Sequence, residues 1–348
     1  MSPKAQPPRQ SGRRERPVVL KADKLVKRYG QRTVVQGVSF EVREGEIVGL
    51  LGSNGAGKTT SFRMSCGLIP TNGGTVTLNG LDVTDWPMYR RAREGRLGYL
   101  PQDRSAFGAL TTEENLYAAM QYMGYSRSEQ KRRCAEALER FNLLHIRKTK
   151  VGMGGSGGLS GGERRRLEIA RALLADPKIL LLDEPFANVD PITVEEMQKV
   201  IRELADGGVA VLITDHQVDE TLQITDRSYI VDKGQILCSG TPYEVVSNQE
   251  AVKRYFGDRA NVIRERILKR MNNIDGGADS SVGAISEQDR FPNYSASQNE
   301  NARRVAPSRP TLSLSRRDND EERQTRSPRD DKPEHNRFDG KMKRLFRR

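Results

Sequence analysis

The chain has 348 residues, a formal net charge of +12, 35% hydrophobic residues and a mean hydropathy of −0.69. This length allows two or so domains, but the composition excludes a chain packed throughout, because segments poor in large apolar side chains cannot offset the entropy of ordering themselves. No stretch reaches the length of a transmembrane helix, the charged N-terminus shows no apolar signal region, and Cys66, Cys134 and Cys238 have neither metal-ligand spacing nor an even count for a disulfide framework, which suits a reducing cytosol.

In chain order, residues 1–17 are rich in Pro and Arg, carry about +4, and read as a disordered basic arm. Residues 18–257 then read as one domain of alternating strands and helices. "FEVREGEIVGLLG" predicts a half-buried strand, a turn at Glu44 and Gly45, and a second, more apolar strand. "GGTVTLNGLDV" predicts a hairpin turning at Asn79 and Gly80, a dipeptide that two-residue turns favour. From Leu110 to about Lys148 the periodicity is helical without a strand pattern, as in an inserted helical subdomain.

"KILLLDEP" and "GVAVLITDH" are short, continuously apolar runs, which suits parallel strands buried on both faces. Between them "ITVEEMQKVIRELADGG" predicts an amphipathic helix stopped by glycine, so the three form a strand–helix–strand unit of a parallel sheet. "DKGQILCSGTPYEV" predicts a small strand and the final helix. Residues 258–348 read as a mostly disordered basic tail, with about +7 from Arg259 onward. Its end, "KMKRLFRR" with Leu345 and Phe346, is a candidate contact for anionic lipid. The basic excess lies in the two tails and the middle is nearly neutral, so nucleic acid is not an expected partner; a fold that grips it carries charge on its folded face.

The chemistry concentrates at predicted strand ends. "GLLGSNGAGKTT" follows a predicted strand and opens a predicted helix, and the run Gly52, Ser53, Asn54, Gly55, Ala56, Gly57, Lys58, Thr59 fits the phosphate-loop pattern G-x-x-x-x-G-K-[ST], with Thr60 next in line. The glycines let backbone amides approach phosphates, Lys58 suits the β and γ phosphates of ATP, and the Thr59 hydroxyl suits Mg²⁺. Asp183 and Glu184 end "ILLLDEP" at a carboxyl sheet edge, where ligands of open α/β sheets bind. Asp183 is the candidate for the Mg²⁺ shell and Glu184 for the general base that takes a proton from the attacking water. An acidic pair also suits a simple capping turn, but the same sheet carries the phosphate loop, which favours catalysis. His216 after "LITD" and Gln102 after "LGYLP" stand at two further strand ends. His216 could orient the γ-phosphate and the water, and the Gln102 amide could reach Mg²⁺ or water.

A second helix start has phosphate-binding character. In "LSGGERRRLEIARALL", Ser160 with Glu163 three residues on reads as a capping box, and Leu167, Ala170, Leu173 and Leu174 follow at helical spacing. Such a terminus offers free N–H groups and the positive end of a helix dipole. The flexible run "GMGGSGG" precedes it.

In this order the motifs resemble those of the nucleotide-binding subunits of ATP-binding-cassette transporters: Tyr29, the phosphate loop, Gln102, "LSGGE", Asp183 with Glu184, "ANVD" and His216, over residues 18–257. The resemblance implies an α/β P-loop NTPase core with an antiparallel β subdomain, an inserted helical subdomain at about 103–175, and disordered tails. It implies that Tyr29 stacks on adenine and that Ser160, Gly161 and Gly162 cap the γ-phosphate held by the partner chain of a head-to-tail homodimer, with Asn188 and Asp190 at that interface. It also implies transmembrane permease partners and a place on the cytoplasmic face of the inner membrane. The runs "LSGGERRRLEIARALLADPKILLLDEPFANVDPITVEE" and "VLITDHQVDETLQITDRSYIVDKGQIL" are similar to lipopolysaccharide-export ATPases, whose relatives include branched-chain amino-acid import ATPases; in that group an aromatic at the position of Phe107 meets the permease.

Overall fold

The computed structural model describes residues 16–152, 158–187 and 189–275. They belong to one unit, Met1–Ser280, and a second unit, Ser281–Arg348, lies outside them. Asn188, most of the glycine run before Ser160, most of the basic arm and the tail end with Leu345 and Phe346 are thus outside the described residues.

The chain begins with β1 (Val18–Tyr29), β2 (Arg32–Arg43) and β3 (Ile47–Gly52), followed by α1 (Lys58–Cys66), β4 (Gly73–Leu78), β5 (Leu81–Asp82), α2 (Met88–Arg93) and β6 (Leu97–Leu100). Helices α3 (Thr112–Tyr122), α4 (Arg127–Arg140) and α5 (Gly161–Leu173) come next. The parallel-sheet pattern resumes with β7 (Ile179–Asp183), α6 (Pro191–Asp206), β8 (Ala210–Thr214), α7 (Val218–Ile224), β9 (Arg227–Asp232) and β10 (Gln235–Gly240). The described chain closes with α8 (Pro242–Ser247), α9 (Gln249–Ala251), a π-helical turn at Val252–Phe256 and α10 (Arg259–Asp275).

Two sheets form. The four-stranded one runs β2-β1-β4-β5, with every pairing antiparallel. Asn79 and Gly80 turn its β4–β5 hairpin with positive φ at both residues, as such a tight turn requires. The six-stranded sheet runs β10-β9-β3-β8-β7-β6, parallel apart from β10. β3, β7 and β8 are buried at every residue, which is why they read as unbroken apolar runs. Successive side chains on a strand point to opposite faces. Accordingly Leu180, Leu182, Val211 and Ile213 pack toward α3, α4, α5 and α6, whereas Ile179, Leu181, Ala210 and Leu212 pack toward the four-stranded sheet.

Two expected boundaries move. Arg16 and Pro17, placed in the basic arm, are tied to the β2–β3 turn: Arg16 donates to the Gly45 carbonyl, and the Pro17 carbonyl accepts from the Glu44 N–H. At the other end the folded body continues past Gly257, and the helix after β10 is not the last. α10 buries Ala260 and Ile263 in a cluster with Leu51, Val218, Leu222 and Phe256, and Arg266 pairs with Asp219 of α7 at 3.0 Å. Arg259, Arg264, Glu265, Arg266 and Lys269 surround the stripe of Ala260, Ile263 and Ile267, and hid it in a basic-looking tail.

Candidate functional site

The phosphate loop runs from the end of β3 into α1. Gly52, Gly55 and Gly57 all have positive φ, a conformation that side-chain-bearing residues resist. Gly57 caps α1 in the left-handed region and offers no side-chain hydrogen bond, so the first N–H groups of α1 keep no capping partner from it. Lys58 opens that helix. Its Nζ donates to the carbonyls of Gly52 at 2.6 Å and Ser53 at 2.9 Å, which folds the amine back over the loop. Burial lowers its pKa, and the charge of Glu184 opposes that shift. Ser53, Asn54 and Gly55 form the exposed rim, and Thr59 and Thr60 are half-buried behind it.

Beside the loop, three parallel strand ends converge. β8 lies between β3 and β7, and β6 flanks β7, so Gln102, Glu184 and His216 follow neighbouring strands. One carboxylate oxygen of Glu184 accepts from Gln102 Nε2 at 2.8 Å and lies 3.2 Å from His216 Nδ1. Glu184 has a positive φ of 46°, and its N–H is held by the Thr214 carbonyl at 2.7 Å. This aims its side chain across the sheet edge at some conformational cost. Asp183 is buried just behind, and burial raises its pKa, countered first by Arg63. Asp215, which the sequence reading passed over, is also fully buried. It accepts from the N–H groups of Phe186 and Gln217 and lies 3.4 Å from His216 Nδ1, so it frames the histidine from below. A base, a histidine and an amide around one open edge can hold and deprotonate a water next to a phosphate.

The second helix start is built differently. Ser160 caps α5: its Oγ accepts from the Glu163 N–H at 3.2 Å, and the Ser160 N–H donates back to Glu163 Oε2 at 2.8 Å. Gly161 is exposed, with open space where a Cβ would stand. Gly162 is buried, and a Cβ there would meet Thr193 Oγ1 at 2.6 Å. Thr193 is bound in turn by Asp190, which caps α6. Gly162 thus serves helix–helix packing in the single chain, and Asp190 has an intrachain role beside the interface expected of it. Among the described residues no hydrogen bond or ion pair joins Ser160, Gly161 or Gly162 to the phosphate loop or to Glu184.

α5 also carries a polar stripe, packed against the strand ends, that motif reading missed. Arg165 is buried and donates to the Pro101 carbonyl at 2.8 Å, to Glu168 at 3.1 Å and to the Asp183 carbonyl. Glu168 accepts from the N–H groups of Ser105 and Ala106, and Arg171 donates to the Ser105 carbonyl and lies over the Phe107 ring at 4.8 Å. These residues recur at three-residue spacing on one helix face, which is the signal that was available. Buried Asn115 then fixes the main chain of Phe107 on both sides, leaving its ring 51% exposed. Tyr29, at the end of β1, is 52% exposed with Lys27 Nζ 5.4 Å from its ring centroid.

A phosphate loop next to a Gln–Glu–His edge, with an antiparallel sheet on one side and a helical insert on the other, defines an ATP-hydrolysing cassette. Comparison with known proteins places it further. Residues 35–187 match the ABC transporter family model. The chain is 48% identical to the lipopolysaccharide export system ATP-binding protein LptB of Haemophilus influenzae, across 69% of this chain and 98% of that protein. It is equally identical to the LptB of Escherichia coli K12, across 69% and 97%. An uncharacterized ABC transporter ATP-binding protein of Rhizobium meliloti is 50% identical over 67% of this chain and 84% of its own. Among solved structures, the ADP conformation of an ATP-binding cassette of an ABC transporter superposes with a TM-score of 0.61 at 27% identity, covering 69% of this chain and 99% of that one. The chain belongs to the family of ABC transporter ATP-binding subunits, and it is an ATPase.

Proposed function

We propose that this chain powers lipopolysaccharide export, working as a homodimer beneath transmembrane permease subunits on the cytoplasmic face of the inner membrane. The observation that carries this reading is 48% identity, over 69% of this chain and nearly the whole length of proteins named for that export system. In this reading Tyr29 stacks on adenine, while residues 52–60 cradle the phosphates through backbone amides and Lys58. Thr59, Gln102 and Asp183 would hold Mg²⁺, which supplies charge neutralisation at the β and γ phosphates; their hard oxygen donors suit that ion. Glu184 takes the proton of the attacking water, and His216, framed by Asp215, steadies the γ-phosphate. Ser160, Gly161 and Gly162 close the partner's site, and Phe107 meets the permease. Contact of the tail with anionic lipid remains part of the proposal on the strength of its sequence alone.

Glu184→Gln should slow hydrolysis about 10²–10⁴-fold, the usual worth of a general base, and hold the ATP-bound dimer together. Affinity purification of that variant from detergent-solubilised membranes with ATP, followed by mass spectrometry of proteins and lipids, tests the cargo. Export-type permeases with lipopolysaccharide support the reading; amino-acid permeases move the chain to the import group.

A further inference from the structure

One buried charge has no part in the chemistry above. Arg91 of α2 is 2% exposed, the largest of the fully buried side chains, and among the described residues it forms no ion pair with a carboxylate. Its guanidinium is spent instead on four main-chain carbonyls. Nη1 donates to Met64 at 2.8 Å and Ser65 at 2.9 Å, Nη2 to Thr84 at 2.8 Å, and Nε to Trp86 at 2.8 Å.

Met64 and Ser65 belong to the last turn of α1; the Met64 carbonyl is shared between Arg91 and the Gly67 N–H at 3.1 Å, and Arg91 supplies the donor that the helix itself does not continue to provide. A cation there also meets the negative end of the helix dipole. Thr84 and Trp86 belong to the segment that leads into α2, so one planar fork ties the end of the phosphate-loop helix to the next structural unit. The chain makes room for it at Gly67, the C-cap of α1. Gly67 has φ 75°, and a Cβ there would lie 2.7 Å from Arg91 Nε and 2.8 Å from the Trp86 carbonyl. The Gly67 carbonyl accepts from the Met88 N–H at the start of α2, a second tie across the same joint.

We infer that Arg91 is a positioning residue for ATP hydrolysis: it fixes α1 along its axis from the C-terminal end, and thereby places Lys58 and Thr59 at the other end. α1 has nine residues, and a helix this short moves as a rigid rod. Slack at the Arg91 joint therefore reaches the phosphates undiminished. Geometry at reacting groups is steep, since a misplacement of about 1 Å costs about 100-fold.

The test uses the full-length protein with Arg91→Lys and Gly67→Ala. Lysine keeps the charge but presents a compact ammonium that cannot span carbonyls on two elements. Alanine at position 67 retains the Arg91 side chain but puts a Cβ 2.7 Å from its Nε, so the fork must shift. Thermal melting establishes the temperature at which each variant is folded. Below it, the expected result is a fall in kcat per folded chain of about tenfold or more, with a matching rise in the Kd for ATP. A purely structural role lowers the melting temperature and leaves both constants alone. Variants whose kcat and ATP affinity stay within about twofold of the parent while only Tm falls overturn the inference.

Discussion

The two helix starts that bear phosphate-loop character are opposites. α1 begins at Gly57, which has no side chain to bond its first N–H groups. α5 begins at Ser160, whose hydroxyl and backbone N–H are both occupied by Glu163. A glycine start without a side-chain cap forgoes only about a few tenths of a kcal/mol, and it leaves those amides open to whatever else will meet them. A capped start is stable in the isolated chain and offers only what lies in front of the cap, here Gly161 with open space around it. The first leaves its amides open to a ligand held by this chain; in the proposed reading the second serves one that a partner chain brings.

The largest expected effect separates them directly. Lys58→Ala removes a charge-assisted donor from the phosphate loop and should weaken ATP binding by the isolated chain roughly 10–100-fold, the worth of a hydrogen bond to a charged group. Ser160→Arg should leave that affinity unchanged and abolish turnover, because its damage falls on the partner's nucleotide. Equilibrium titration with ATP measures both. If Ser160→Arg weakened binding as much as Lys58→Ala, the two starts would share one pocket and the contrast would be lost.

This contrast was half visible in the sequence. The capping box, the phosphate loop and the acids at the end of β7 are local patterns whose spacing is tied to element ends, so they could be placed without tertiary contacts. Two strongly apolar runs announced β7 and β8 for the same reason. What stayed hidden depends on which distant segments meet. A sequence offers Arg91 as one more arginine of "YRRAR", and only the fold brings four carbonyls around it. Arg165 and Glu168 stand in a charged run that would pass for a solvated face, although both are buried. Gly161 and Gly162 look equivalent in "LSGGE", and the nearness of Thr193 makes them different.

That difference gives the next prediction. Gly161→Ala meets nothing within 4 Å and removes backbone freedom from the unfolded chain, so it should raise stability by about 0.4–1 kcal/mol. It should still reduce turnover, since a methyl group would stand where the partner's phosphate approaches. Gly162→Ala forces a Cβ to within 2.6 Å of Thr193 Oγ1, and overpacking of this kind costs about 1–3 kcal/mol. Calorimetry should show melting temperatures shifted in opposite directions. Equal shifts would mean that the packing of α5 on α6 does not distinguish the two glycines.

A smaller effect sharpens the cap itself. Ser160→Ala removes the acceptor for the Glu163 N–H and should cost about 1 kcal/mol of stability, without altering ATP affinity in the isolated chain. Denaturant unfolding of the two proteins measures it; an unchanged midpoint would show that the box contributes nothing beyond geometry.

The smallest effect is acid-sensitive. Burial pushes the Glu163 carboxyl upward, but the hydrogen bonds from Ser160 and the contact with His145, at 3.3 Å, outweigh it and hold the pKa below the ordinary 4.5. An acid with a depressed folded pKa stabilises the fold in full above its unfolded value, and the contribution disappears as the pH falls through the folded value. The stabilisation from ionised Glu163 should therefore be complete at neutral pH and be lost below pH 4.5. Glu163→Gln keeps a side chain that can reach back to the Ser160 N–H, since glutamine also serves in capping boxes, and removes only the charge. Melting curves of parent and variant should differ at pH 7 and converge as the pH falls below 4.5 and the carboxylate takes up its proton. The phosphate loop offers a matched control, because α1 has no acidic residue in its first turn. A pH-independent gap between the two curves would assign the stability of the α5 start to hydrogen-bond geometry, and leave its electrostatics to the nucleotide that the partner brings.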